Sequence, residues 1–274
     1  MTRGNRRSPR PKRVLLFMVM ALGAVVMLYP FYFMLDSSLR TREQFQSGEG
    51  HSLESWKVLS EQLPVGQQLM NSMIVCILSI AIIVAVSTTA GFAFAKLNYR
   101  GSTVVFLGIV AALMIPMQSI ITPAYTNIAQ LNLLTTYWGA VLVYAALGTP
   151  FATFLMTVYF RSLPDELVEA AIVDGLHYRG VFFRIALPLA VPAMVTVMVL
   201  QFIQIWCDLL IGLLFLQNPE QRTITVGLGA LSAGRVTDIP VLMAGSLVSA
   251  IPAVIVYLIF QRQLVNGLTA GMGK

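Results

Sequence analysis

The sequence predicts an all-α, polytopic membrane protein with six transmembrane helices, and three observations carry that prediction. Of its 274 residues, 57% are hydrophobic and only 11% charged, with a mean hydropathy of +0.77; a soluble core of this size cannot hide so much apolar surface. The apolar residues fall in long runs, and a hydrocarbon core about 30 Å thick takes about 20 of them per helix. The runs lack the alternation of a barrel strand.

The first segment, 1–13, is a basic tail with Arg3, Arg6, Arg7, Arg10, Lys12 and Arg13. The first span, 14–35, is too long for a secretory signal and has no small-residue cleavage site after it, so it reads as a retained anchor. A polar loop from Ser37 to Gln68 follows, in which Trp56 and Leu59 suit a short helix lying on the membrane interface. The remaining spans are expected at 72–95, 104–123, 138–158, 189–210 and 241–260. The loop at 124–137 is short and uncharged, and 211–240 is too broken by Gly and Pro to span. The chain thus divides into the tail 1–13, a membrane domain 14–260 with a polar loop 159–187, and a C-terminal tail 261–274. No internal repeat is visible.

Thirteen Lys and Arg fall in the tail, the 96–103 turn, the 159–187 loop and the C-terminal tail, against five in the other loops. The positive-inside bias places both termini in the cytoplasm of a multi-pass protein of the cell membrane. This topogenic asymmetry accounts for the net charge of +6 without any nucleic-acid partner. Cys76 and Cys207 lie within expected spans as small apolar residues, and no disulfide or metal spacing is present.

The segment LPDELVEAAIVDGLHYRGVFFRIALPLAVP, 163–192, is a polar, acid-bearing island between two apolar stretches. Ser162 and Asp165 read as a capping box, Pro164 fits a first helical turn, and Gly175 suits a left-handed terminus. These signals predict a short helix over about 163–174. Leu163, Leu167, Ala170 and Ala171 fall on one face of it, and Asp165, Glu166 and Glu169 on the other. A helix this short needs a partner. A lipid-lying helix would have a basic polar face, whereas this one is acidic, so the partner is read as protein. Asp174 sits at the negative end of the helix dipole, which points to an external donor or to Asp-Gly turn chemistry.

Glu169, Ala170, Ala171, Asp174, Gly175, Phe182, Pro188 and Pro192 resemble the cytoplasmic loop motif of ABC importer permeases. YPFYFMLDSSLR at 29–40, Asn71 with Ser72, the MIP at 114–116 and FQRQLVNGLTAGMGK at 260–274 are similar to the carbohydrate-uptake branch, of the maltose permease G type. The resemblance implies the type I importer permease fold. It also implies a second homologous permease, a pair of ATPase subunits and an extracytoplasmic solute-binding protein as partners, within a lipid bilayer. ATP and Mg would belong to the ATPase, with no cofactor on this chain and no enzyme activity of its own. Glu166, Glu169, Ala170, Ala171, Asp174 and Gly175 would then couple to the ATPase, the tail residues Gly267, Thr269 and Gly271 would reach its interface, and Gly234, Arg235 and Asp238 would meet the binding protein. The G…GK string of 267–274 is no phosphate loop, because no Ser or Thr follows Lys274 and no strand precedes it.

Polar side chains inside spans face a bundle interior or an aqueous cavity. Gln201, Gln204 and Asp208, spaced i, i+3, i+7 with Trp206 nearby, form one such stripe; Gln118, Thr122 and Tyr125 form another. Amide, carboxylate and aromatic groups suit a sugar or oligosaccharide cargo, while interhelical hydrogen bonding is the structural alternative. A different polar solute, of glycerophosphate type, is the alternative cargo. An ion-coupled carrier would place charged pairs at the midplane, and an intramembrane enzyme a nucleophile with its base or a His cluster; the spans hold neither pattern.

Overall fold

A computed structural model describes residues 11–97, 99–234 and 238–269, with side-chain surroundings between 13 and 263. Among the described residues every regular element is helical. In chain order these are α1 (Pro11–Ser38), α2 (Arg42–Ser47), α3 (Glu54–Gln62), α4 (Val65–Lys96), α5 (Ser102–Ala112), α6 (Met117–Gln130) and α7 (Tyr137–Ser162). There follow α8 (Asp165–Val173), α9 (Tyr178–Val181), a π turn (Phe182–Ala186), α10 (Leu187–Leu189), α11 (Val191–Trp206), α12 (Leu210–Phe215), a 3₁₀ turn (Pro219–Gln221), α13 (Ile224–Ser232) and α14 (Ile239–Thr269). Two compact units emerge: one holds the residues up to Leu63 with Gly234–Val248, the other Pro64–Ala233 and the residues from Ser249.

In the first unit α1 is apolar all round, and no residue of its most apolar stretch is buried. Its C-terminal end is fastened by Asp36, which accepts from Arg40 Nε at 3.0 Å and Nη2 at 3.1 Å and lies 3.1 Å from His51 Nε2. Ser55 Oγ donates to the Arg40 carbonyl at 2.5 Å, and a Thr41–Gln44 capping box starts α2. The expected short helix forms as α3, with Leu59 buried against protein.

The second unit is built on α4 and α7, its most extensive helix pair. A Cβ on Gly91 would stand 2.9 Å from the backbone of Met156 and Thr157, so the two helices approach to a separation that only glycine permits at that point. Phe92 stacks edge-on against Phe160 at 5.6 Å and tilts on Phe182 at 5.2 Å, closing the core at the end of α4 that is nearest to α8.

Among the described residues four helices are long and apolar enough to span, or six if each of two bent pairs counts as one span. The bends correct the expected boundaries. The third span is not a straight helix over 104–123: α5 and α6 meet at 98°, and α6 continues to Gln130 through the residues read as a loop. Pro116 has no N–H and adopts an extended ψ of 134°, so the helix cannot run through it. The fifth span, expected over 189–210, straddles a 68° bend between Tyr178–Leu189 and Val191–Trp206. Pro188 and Pro192 each remove a donor here, and the π turn that precedes them bonds Leu187 N to the Phe182 carbonyl. The helix stops at Trp206, which leaves Cys207 exposed outside it. The second span starts earlier than expected, at Val65, and the last runs on to Thr269.

Candidate coupling element and solute cavity

Helix α8 forms where the sequence places it, with a different start. Leu163, preceding a proline, is extended at ψ 135°, so Ser162 stays in α7 and its hydroxyl donates to the Tyr159 carbonyl at 2.7 Å. The expected Ser162–Asp165 capping box therefore does not form; Pro164 occupies the cap position. The C-terminal end closes as a Schellman motif. Gly175 takes φ 87°, its N–H donates to Ile172 at 2.9 Å, and Leu176 N donates to Ala171 at 3.0 Å. Leu176 is half-buried against the core, which gives this bulky residue a packing role at the turn.

Only part of the expected apolar face turns inward. Ala171 is buried, Val168 and Leu163 are half-buried, and Leu167 and Ala170 are exposed. Glu166, Glu169, Asp174 and Gly175 are exposed as well, beside Val173 at 86% exposure. None of these three acids has an ion-pair partner among the described residues. The outward surface is thus acidic with apolar knobs, while Ala171 faces this chain's own core.

Sequence reasoning missed Lys96, counting it only as topogenic charge. Its side chain is 3% exposed, and its Nζ donates to Asp165 Oδ1 at 2.5 Å and to the Leu163 carbonyl at 2.6 Å. The one signal was a cation in the last turn of a long helix, a favoured position beside its free carbonyls.

Between α5, α6, α7 and α11 lies a cavity of about 280 Å³ lined by Tyr144, Gly148, Pro150, Gln201, Gln204 and Asp208 among apolar side chains. Gln201 is 2% exposed, and its Nε2 has no hydrogen-bond partner among the described residues. Asp208 Oδ1 accepts from Tyr144 Oη at 2.9 Å and from Ile211 N at 2.8 Å. Through Oδ1 it therefore joins Tyr144 of α7 to the start of α12. Among the described residues, Asp208 is the one charged residue in the lining.

The structure thus brings together Gln201, Gln204 and Asp208. The other four expected pathway residues lie apart from this cavity. Trp206 is buried, stacks on Phe202 at 5.2 Å and donates its indole N–H to the Ser249 carbonyl at 2.9 Å. Gln118 and Thr122 are exposed on α6, and Tyr125 accepts from Gln217 at 2.8 Å and packs against Phe215. Gly234 is exposed, Asp238 accepts from Val241 N at 3.3 Å, and Arg235 lies outside the described residues. Gly267 and Thr269 belong to α14, whereas Gly271 lies outside the described residues.

The profile of the binding-protein-dependent transport system inner membrane component family matches residues 87–269. A probable ABC transporter permease of Pyrococcus horikoshii is 32% identical, covering 89% of this chain and 91% of its own. The trehalose/maltose transport system permease protein MalG of Thermococcus litoralis is 32% identical, over 96% of this chain and 97% of its own. A crystal structure of a bacterial ABC transporter that imports the acidic polysaccharide alginate contains a chain superposing with a TM-score of 0.79 at 21% identity, covering 95% of this chain and 99% of that one.

Proposed function

The chain belongs to the family of binding-protein-dependent transport system inner membrane components, and from that premise we propose that it is the importer subunit carrying a sugar or oligosaccharide, coupled to an ATPase through α8. The observation that carries the coupling is the outward surface of α8: exposed Glu166 and Glu169 beside apolar knobs, on a helix too short to hold its shape alone. Ala170, Asp174 and Gly175 complete that surface, and Ala171 supports it from behind. The partners are a second homologous permease, a pair of ATPase subunits that hold the ATP and Mg, and an extracytoplasmic binding protein. ATP-driven closure of the ATPases would shift α8 and turn the bundle between inward and outward states, each favoured by different partner contacts. ATP hydrolysis belongs to the partner. The membrane domain runs over 14–260, with the 1–13 and 261–274 tails and α8 on the cytoplasmic side.

The cargo follows from the cavity. Gln201 offers an unpaired amide donor and Gln204 a second amide, while Tyr144 and Asp208 offer oxygens. Convergent donors and acceptors in an otherwise apolar wall suit hydroxyl groups. A lone carboxylate without a basic lining residue opposes an anion, which disfavours a glycerophosphate-type solute. The similarity to a trehalose/maltose permease points the same way.

Purification through a tag on this chain tests the reading. A co-purifying ATPase and second permease are expected, with hydrolysis stimulated by the binding protein loaded with neutral oligosaccharides and not with glycerophosphate. A chain that purifies alone, or a complex stimulated only by the anionic solute, overturns it.

A further inference from the structure

Helix α4 is held at both ends by buried side chains. Near its start, Asn71 Nδ2 donates to the Glu220 carbonyl at 2.8 Å and the Arg222 carbonyl at 3.0 Å, and Ser72 Oγ accepts from Ile224 N at 3.0 Å. Gln67 Nε2 also donates to Glu220 at 2.9 Å, and Tyr137 Oη donates to Asn71 Oδ1 at 2.8 Å, which fixes the amide's orientation. Asn71 and Ser72 are both buried. At the far end Lys96 holds Asp165 and the Leu163 carbonyl, the two points flanking Pro164 at the root of α8.

The helix between these grips is stiff. It spans 32 residues, about 48 Å at 1.5 Å per residue. The other helices longer than 20 residues each contain an internal proline, Pro30 in α1, Pro150 in α7 and Pro252 in α14, whereas α4 has none. Its close contact with α7 at Gly91 further restricts bending.

We propose that Lys96 is a positioning residue, and that through it α4 works as a rod linking movement of the 218–224 loop to movement of α8. This rests on the coupling role given to α8 above. A buried ammonium has few ways to satisfy itself, so it fixes its partners more tightly than an exposed ion pair does. Asp165 lies 77% exposed, and its geometry depends on the lysine reaching out to it. Because the Leu163 carbonyl is the last acceptor before Pro164, one cation fixes both the end of α7 and the start of α8. Any displacement of the α4 terminus must then move the root of α8.

The test uses the complete transporter complex in nanodiscs, with ATP hydrolysis measured with and without saturating, sugar-loaded binding protein. Lys96→Met is expected to co-purify with its partners and keep basal hydrolysis within about twofold, while stimulation by the binding protein falls about tenfold. Lys96→Arg should restore it, since the charge and donors return. Asn71→Leu should reduce stimulation as well, and the Asn71→Leu/Lys96→Met double variant should be no worse than the poorer single one, the signature of one shared element. A purely structural lysine would lower yield or Tm without changing the ratio of stimulated to basal hydrolysis. Full stimulation in Lys96→Met, or additive losses in the double variant, overturns the inference. If Lys96→Met does not assemble, Asp165→Ala replaces it, leaving Lys96 the Leu163 carbonyl alone; unchanged stimulation there overturns the inference equally. An unmodified complex that the binding protein never stimulates overturns the functional reading itself, and this inference with it.

Discussion

The carboxamide of Gln201 is buried with Nε2 unpaired, and an unsatisfied buried polar group costs about 1–3 kcal/mol. A protein retains that cost where the group has a use, and here the residue lines a cavity of about 280 Å³. Gln201→Leu keeps similar volume and removes the unpaired donor. It is expected to raise the Tm of the detergent-solubilised protein while lowering sugar uptake several-fold in proteoliposomes. A destabilised variant, or one with undiminished uptake, contradicts a solute-facing role. Gly175 makes the opposite case, because its φ of 87° suits few L-residues and a Cβ there would meet nothing within 4 Å. Strain, not a clash, is therefore the penalty, about 1–2 kcal/mol confined to the turn. Gly175→Val should leave membrane insertion intact and abolish uptake, whereas Gly175→Asn, which tolerates this conformation, should retain most of it. Equal uptake in the two variants would remove the backbone argument.

At the scale of elements, what was legible in the sequence depended on how local the signal was. Helix α8 was readable because Pro164 and Gly175 mark its ends by their own backbone restrictions. Its first cap was misread because the same Pro164 forces Leu163 to be extended and strands Ser162 in α7. The 98° and 68° bends were not legible: Pro116, Pro188 and Pro192 signal that a donor is missing, but the direction of a bend is set by neighbours far along the chain. In the same way the i, i+3, i+7 rule found Gln201, Gln204 and Asp208 on one face, yet could not find Tyr144, which reaches Asp208 from another helix 64 positions away. Trp206 shared their helix and turned to Ser249 instead. The outward face of α8 gives the matching prediction. Glu166→Lys combined with Glu169→Lys inverts the charge of an exposed surface and touches no buried contact. Stability should therefore change by less than about 0.5 kcal/mol, while ATPase recovered with the tagged chain drops sharply at low salt and recovers little at high salt. Undiminished recovery would separate α8 from the ATPase.

For the whole molecule, the prediction concerns which way it threads the membrane. The charge count assigns the 159–187 loop to the cytoplasm and the loop after α6 to the opposite face, with α7 crossing between them. Each loop offers an exposed reporter position, Val173 at 86% and Leu131 at 62%. The two native thiols need different handling: Cys76 is buried, whereas Cys207 is exposed and must be replaced by serine before labelling. In that background, Leu131→Cys should react with a membrane-impermeant maleimide added to intact cells, and Val173→Cys only after the cells are broken open or the vesicles inverted. Labelling of Val173→Cys from outside would reverse the orientation. It would also place the acidic face of α8 where no ATPase can reach it, so the coupling role and the rod through Lys96 would fall together, whereas the cavity around Gln201 would remain usable in either orientation.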